Sequence, residues 1–435
     1  MSKIWNAIET RPVLIITLLA LLLRLGAIFY ISNFDNPDLE EFGVIARNIV
    51  AGRGFSYRIC QGVLLPSAYM PPAYPFVLAG FIKVFGDNRL ALAAIQTAQA
   101  VLGAILCATV YKIGMIRFTF GTSLCAALML AVLPVFVYAP SQVSAFPWYS
   151  LAGCLLFLFL LKLSQEQSSK NIILVGLTLG ILMLFRAETL IYVPFIGLWI
   201  YFNVPHDKRL RIALLPPLLS MAIVIPWTVR NYIVLHRFVP VATSKGYALW
   251  RGNNPEATGG ARSGKVPDEI TRKIASLSPT PDYEVAIDDI FYRAALDFIK
   301  RHPEKALALA LKKCLLFWTF DPTYGSSEAE MTGRLKGGSK HVLYLAPWCV
   351  ILPLFAIGLV ITRKRARELS LFYLYFTVST LVAMIFFVLP RYRLYIEPLI
   401  LPFAATGLAF LWDLFSRVRS GAHNRQQREG KDWLS

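Results

Sequence analysis

Apolar residues recur in this chain as long unbroken runs, not as single stripes on otherwise polar helices. A run of about 20 residues crosses ~30 Å of hydrocarbon as a helix. Runs at 12–31, 89–113, 118–137, 144–163, 210–228, 342–361, 369–389 and 396–415 predict spanning helices. Two more, 171–185 and 190–202, fall short of that length and are separated by Arg186, Ala187 and Glu188. Fused into one helix, they would put Lys170 and Lys208 on opposite faces of the membrane. They are therefore read as a shallow hairpin with its tip below the outer surface. Irregular polar backbone at that depth needs protein or a water-filled cavity beside it.

Two longer segments lie between the runs, both assigned to the outer face. In 32–88, the pattern over 38–51 predicts a short amphipathic helix that stops at Gly52 and Gly54. "PPAYPFVLAGFIKVFG", 71–86, opens on proline and stays apolar. It is short for a span, and counting it as one would reverse the sidedness of every later loop, so it is placed in the interface. The segment 230–341 is the only piece large enough to form an outer domain, with helical patterns at 284–300 and 303–317. The expected fold is an all-α polytopic membrane protein of about ten transmembrane helices. Residues 1–228 form an N-terminal module including loop 32–88, 229–341 a small, mostly helical outer domain, 342–416 the C-terminal helices and 417–435 a basic tail.

Composition agrees: 56% of the 435 residues are hydrophobic and 16% charged, where soluble domains run near 25%. A net charge of +18 would suit nucleic acid if it formed a patch. Instead the short connectors on one side collect Lys112, Arg117, Lys162, Lys170, Arg209, Arg211, Arg363, Lys364, Arg365 and Arg367. That is the positive-inside pattern, which places both termini in the cytoplasm and removes the case for nucleic acid. The first run lacks a small-residue cleavage site, so it reads as an uncleaved helix. Of the six cysteines, only Cys60 and Cys314 face the outside and could bridge; the other four lie in apolar runs. No Cys or His pair has metal-ligand spacing, and neither a nucleotide-binding loop nor a nucleophile elbow is present. No cofactor and no metal site are expected. Any chemistry falls to carboxylates and arginines.

The densest acidic cluster is in "NPDLEEFGVIARNIVAGRGFSY", 36–57, just after the first run. Asp38 and Glu41 share a helix face, while Glu40 turns away. Two readings stay open: the acids favour the positive end of the helix dipole, or one of them is a general base under an outer cavity. Arg24 lies inside the first run, where a charge costs ~2.5–3.5 kcal/mol, so it is either ion-paired for structure or functional. Arg186 marks the hairpin tip, Arg230 follows the run at 210–228, and Arg391 and Arg393 stand in "LPRYRLYIEP". Arginines at this depth can grip a lipid-borne phosphate through forked hydrogen bonds. A snorkelling anchor is the alternative for each.

"DLEEFGVIARNIVAGRGFSY" resembles the D-x-x-E-Y/F…A-R-N-L…G-R-G-F opening of bacterial membrane glycosyltransferases of the GT-C superfamily, which include relatives of protein O-mannosyltransferases and lipid A aminoarabinose transferases. "YMPPAYPFVLAGFIKVFG", "PWTVRNYIVLHRFVPVATSKGYALWRGNNPEATG" and "PRYRLYIEPLILPFAATGL" are similar to three further blocks, in the family's order, out to about residue 408. The resemblance implies a GT-C-like fold in the bacterial cytoplasmic (inner) membrane, with an outward cavity that Tyr69 and Tyr74 help to line. It implies a polyprenyl-phosphate sugar as donor, a glycan, lipid or protein acceptor, and inversion at the anomeric carbon. Asp38 would be the base, with Glu41 beside it, and Arg186, Arg230, Arg391, Arg393 and Arg24 the phosphate-binding set. Two departures stand out. Phe146 occupies the place of a second family acid, and Met70 precedes Pro71 and Pro72 where aminoarabinose transferases have lysine. A lipid-linked sugar transporter or flippase, or a non-catalytic partner in envelope polysaccharide assembly, would use a similar basic cavity. A transporter calls for paired half-helices or internal repeats, and the chain shows no convincing repeat.

Overall fold

The structure is a computed structural model that describes residues 2–31, 39–205, 207, 209–260, 264–319 and 345–432. Helix α1 (Ser2–Ile31) leads into a long segment built of α2 (Glu40–Val50), strands β1 (Ser56–Cys60) and β2 (Val63–Pro66), and α3 (Ala73–Phe85). The bundle continues with α4 (Arg89–Arg117), α5 (Phe120–Val132), α6 (Pro134–Tyr138), α7 (Phe146–Gln165), α8 (Ser169–Phe185), α9 (Tyr192–Asn203) and α10 (Arg209–Leu235). The second long segment supplies α11 (Lys245–Gly252), α12 (Asp268–Ala275), α13 (Tyr283–Arg301) and α14 (Pro303–Trp318). Helices α15 (Ala346–Thr362), α16 (Ser370–Ile385) and α17 (Glu397–Asp432) complete the chain. Among the described residues six helices are long and apolar enough to cross a membrane, and the bent pair α5–α6 makes a seventh. Helices α3, α8 and α16 are apolar but shorter.

The run at 118–137 is not one straight helix. Pro134 has no N–H, and it forces Leu133 into an extended conformation (φ −61°, ψ 119°). The axis turns there by 56°. Leu130 thereby loses the N–H its carbonyl would have accepted. Arg24, fully buried in α1, fills the vacancy: its guanidinium donates to the carbonyls of Leu130 at 3.5 Å, Ala131 at 3.4 Å and Ala20 at 3.0 Å. The partner of this intramembrane arginine is a helix end that proline left open, not an acid.

The hairpin reading of 171–202 agrees with the packing. Gly176 faces Leu219 and Gly180 faces Ile223, so α8 runs parallel to α10. Tyr192 bonds Ser379 at 2.7 Å and Trp199 bonds Ser370 at 2.9 Å, so α9 runs antiparallel to α16. Both α10 and α16 end against the two long segments, and the chain therefore reverses between Arg186 and Ile191. The end of the bundle that carries the long segments is called the loop end below.

Two features of the loop end have no counterpart in the sequence reading. Strands β1 and β2 pair antiparallel, Cys60 opposite Val63, across a turn in which Gln61 (φ 49°) and Gly62 (φ 81°) are both left-handed. Two such residues in a row match the twist of a tight hairpin. Helix α14, expected as part of an outer domain, packs on α16 and exposes Leu307, Leu311 and Leu315 along one stripe.

A candidate active-site cavity at the loop end

A cavity of about 510 Å³ opens between α2, the chain after β2, α11 and the segment that follows α16. Its charged wall consists of Glu41, Arg251 and Arg391, and Tyr57, Tyr69, Tyr247 and Tyr392 supply aromatic faces. The Tyr57 and Tyr69 rings stack at 5.6 Å, and the Arg58 guanidinium lies over Tyr69 at 5.0 Å. Two guanidiniums to one carboxylate leave the wall positive.

Each wall is held by polar contacts, most of them buried. Helix α2 buries Ile45, Ala46 and Asn48; the Asn48 amide donates to the Ser56 carbonyl at 2.9 Å, and Arg47 pairs with Asp87 beyond α3 at 2.7 Å. That packing leaves Glu41, the second residue of the helix, on the cavity side. The chain at Ser67 and Ala68 is fastened by the buried carboxylate of Glu284, which accepts from the Ser67 hydroxyl at 2.6 Å, the Ala68 N–H at 2.9 Å and the Thr243 hydroxyl. Asp288, one turn on in α13, accepts from the N–H groups of Gly246 and Tyr247 at 2.8 and 3.0 Å, and so sets the start of α11. Burial pushes the Asp288 carboxyl up to about 6 against the pull of those two donors. Lys313 closes the last wall, donating to the carbonyls of Gly252 at 3.2 Å and Ile385 at 3.3 Å; burial brings its ammonium down to about 8. Within the cavity, burial and the nearby Glu41 carboxylate raise the Tyr69 phenol.

Two spaces adjoin it. A second cavity of about 420 Å³, with Arg58 and Tyr283 in its wall, meets the first at Tyr69 and Tyr247. At the hairpin tip, Arg186 is sandwiched between the rings of Tyr149 at 4.6 Å and Tyr395 at 4.4 Å and paired with Glu188. Tyr392 feels the charges of Arg391, Arg186, Glu188 and Arg251 together, which puts that slot beside the Arg391 wall.

The residues expected from the sequence therefore separate. Glu41, Tyr69 and Arg391 share the cavity, and Arg186 adjoins it. Asp38 lies outside the described residues. Arg24 caps α5, as above. Arg230 donates to the carbonyls of Ser67 at 2.7 Å and Phe55 at 3.0 Å, pinning the first long segment to α10. Arg393, 2% exposed, pairs with Glu397 at 3.0 Å and donates to the carbonyls of Phe317 at 3.0 Å and Thr319 at 2.9 Å. Tyr74 is buried under α2 and donates to Gln99 at 3.4 Å, so it faces core and not cavity. The three arginines are consumed by protein acceptors. Sequence reasoning missed Arg251 and Tyr247, whose spacing of four on α11 puts both on one face. Cys60 and Cys314 are free thiols. Among the described residues no three His, Cys, Asp or Glu side chains gather as a metal site.

Comparison with known proteins bears on this architecture. The family described as dolichyl-phosphate-mannose-protein mannosyltransferase matches residues 69–229, less than half of the chain. No curated protein matches the sequence. Among solved structures, the Archaeoglobus fulgidus oligosaccharyltransferase tethered with an acceptor peptide aligns at TM-score 0.55 and 13% identity, over 97% of this chain and 51% of that one. The same organism's oligosaccharyltransferase AglB, in complex with an inhibitory peptide and a dolichol-phosphate, aligns at 0.55 and 13%, over 97% and 52%. ArnT from Cupriavidus metallidurans bound to undecaprenyl phosphate aligns at 0.37 and 15%, over 94% and 77%. The chain spans about half the length of the two archaeal structures. Its fold is the one these two archaeal structures share.

Proposed function

We propose that this chain is an inverting glycosyltransferase. It takes a sugar from a polyprenyl-phosphate donor and delivers it to a hydroxyl of a lipid-linked glycan, of lipid A or O-antigen, or of a protein. The reading places it in a bacterial cytoplasmic membrane, crossed about ten times, with the loop end facing out. The observation that carries it is the cavity that joins Glu41, Arg251 and Arg391 on a GT-C fold. A carboxylate opposite two guanidiniums, between tyrosine faces, suits a sugar attached to a phosphate.

In the proposed reaction the acceptor hydroxyl oxygen attacks the anomeric carbon from the face opposite the phosphate. The bond from that carbon to the phosphate oxygen breaks, and the lipid phosphate departs with the electron pair. The hydroxyl proton passes to a carboxylate. Asp38, three positions before Glu41, is assigned as that base, and Glu41 orients the acceptor side of the cavity. Arg391 and Arg251 meet the charge that develops on the leaving phosphate, where fixed cations in a water-poor site act most strongly. Arg186 stands behind them, its charge partly offset by Glu188. The tyrosine faces hold the sugar ring.

The test is transfer from a synthetic polyprenyl-phosphate sugar by purified variants. Asp38→Asn keeps size and helix-capping ability but cannot accept a proton. A loss of roughly 10²–10⁴-fold is expected at unchanged thermal stability, with a smaller loss for Glu41→Gln. A well-folded Asp38→Asn protein working near the wild-type rate would sink the mechanism.

A further inference from the structure

At the end of the bundle opposite the proposed active site, a separate cavity of about 620 Å³ is walled by the ends of α4, α7 and α9 and by the turn between α15 and α16. Helix α16 runs its whole length between this cavity and the loop end. Arg117, Lys364, Arg365 and Arg367 line it, against one carboxylate, Glu368. The charge-orientation rule asks only that cations lie somewhere on this side; it does not ask that they share one concave wall. Here they do, and their positions are organised. Arg365 donates to the Arg117 carbonyl at 2.6 Å and, through Nε and Nη2, to Glu368 at 2.9 and 2.8 Å. Arg117 reaches the Ser164 hydroxyl only at 3.5 Å, and its buried Nε has no hydrogen-bond partner among the described residues. Such a guanidinium has donor capacity to spare. Phe202, 73% exposed, forms an apolar lip at the same opening.

We propose that this cavity binds a phosphate-bearing anion, and that the anion is the headgroup of an anionic phospholipid. The guanidinium fork of Arg117 and the charges of Lys364, Arg365 and Arg367 match phosphate oxygens. Basic pockets between membrane helices are suited to such headgroups. A free phosphate offers the same oxygens, but it has no use for an apolar lip; an acyl chain lies along Phe202. The inference is independent of the glycosyl-transfer reading, since none of these residues belongs to the loop-end cavity.

The test uses the full-length protein, stripped of lipid in detergent and titrated with phosphatidylglycerol, phosphatidylcholine or inorganic phosphate, and read by native mass spectrometry and thermal shift. One phosphatidylglycerol should be retained at least tenfold more tightly than phosphatidylcholine, and millimolar phosphate should not displace it. The double variant Arg117→Gln/Arg365→Gln should lose that preference, since each charged hydrogen bond is worth roughly tenfold or more. Glu368→Gln removes the single opposing charge and should tighten binding severalfold, so the idea stays testable if the double variant fails to fold. Equal retention of the two lipids, wild-type retention by the double variant, or weaker binding by Glu368→Gln would overturn the site. Displacement by phosphate would overturn the lipid assignment and leave a free-anion site.

Discussion

Arg391 and Arg393 stand two residues apart and face opposite tasks, which makes them a paired test of the cavity. Arg391 is exposed on its wall, where a leaving phosphate would sit. Arg391→Lys keeps the positive charge and loses the planar fork. If the fork makes two charged hydrogen bonds to phosphate and lysine keeps one, the loss is about 1.5–3 kcal/mol. That is roughly 10- to 100-fold in donor affinity. The side chain is exposed and lysine keeps its charge, so stability should move by no more than ~1 kcal/mol. Arg393 is the reverse case. Its guanidinium serves Glu397 and the carbonyls of Phe317 and Thr319, and Glu397 is only 4% exposed. Arg393→Met leaves that carboxylate buried without its cation, at a cost of about 3–5 kcal/mol. Donor affinity per folded molecule should not change. The assay is initial-rate transfer at limiting and saturating polyprenyl-phosphate sugar, with thermal unfolding in the same detergent. Wild-type donor dependence in Arg391→Lys would refute the phosphate grip. A stable Arg393→Met protein with weakened donor binding would show that the roles are exchanged.

Three further outcomes are expected. Arg24→Gln should destabilise the bundle by about 2–4 kcal/mol through the unpaired carbonyls at the end of α5; in a Pro134→Ala background, where residue 134 regains its N–H, the same change should cost clearly less, and equal costs in a double-mutant cycle would reject the cap. The Asp288 carboxyl is raised from 3.8 to about 6, so its contribution to stability is full below about pH 4 and lost as pH rises through about 6. Asp288→Asn still accepts from Gly246 and Tyr247, and between pH 4.5 and 7.5 it should gain about 2 kcal/mol on the wild type; parallel unfolding curves across that range would contradict the burial argument. Transfer activity should persist in EDTA, because Phe146 stands where the sequence resemblance calls for a second acid and two carboxylates make a poor cage; loss of activity with rescue by Mg²⁺ or Mn²⁺ would reverse that expectation.

Much of the scaffold is legible in the chain itself. Apolar runs of membrane length mark the long helices, because a lipid-facing helix needs continuous apolar cover whatever it packs against. The reversal at Arg186 follows from two runs too short to cross with cations at both far ends. The pairing of motifs from four distant blocks points to the superfamily, and Glu41, Tyr69 and Arg391 emerge on one cavity wall.

What only the tertiary structure decides is which charged residues line the cavity and which are spent on the scaffold. The cost of burying a guanidinium says that Arg24, Arg230 and Arg393 must each find partners, and the natural guess is an acid or a substrate phosphate. In the fold most of those partners are backbone carbonyls: a helix end opened by Pro134, the loop at Phe55 and Ser67, the end of α14. The clamp at Glu284 is equally hidden from the sequence: its bond from the Ser67 hydroxyl joins residues 217 positions apart. Hydropathy is a property each residue carries with it, so it survives as a pattern in the sequence. A carbonyl belongs to every residue alike, and which one lies within hydrogen-bond reach of a given arginine is settled only when the helices pack.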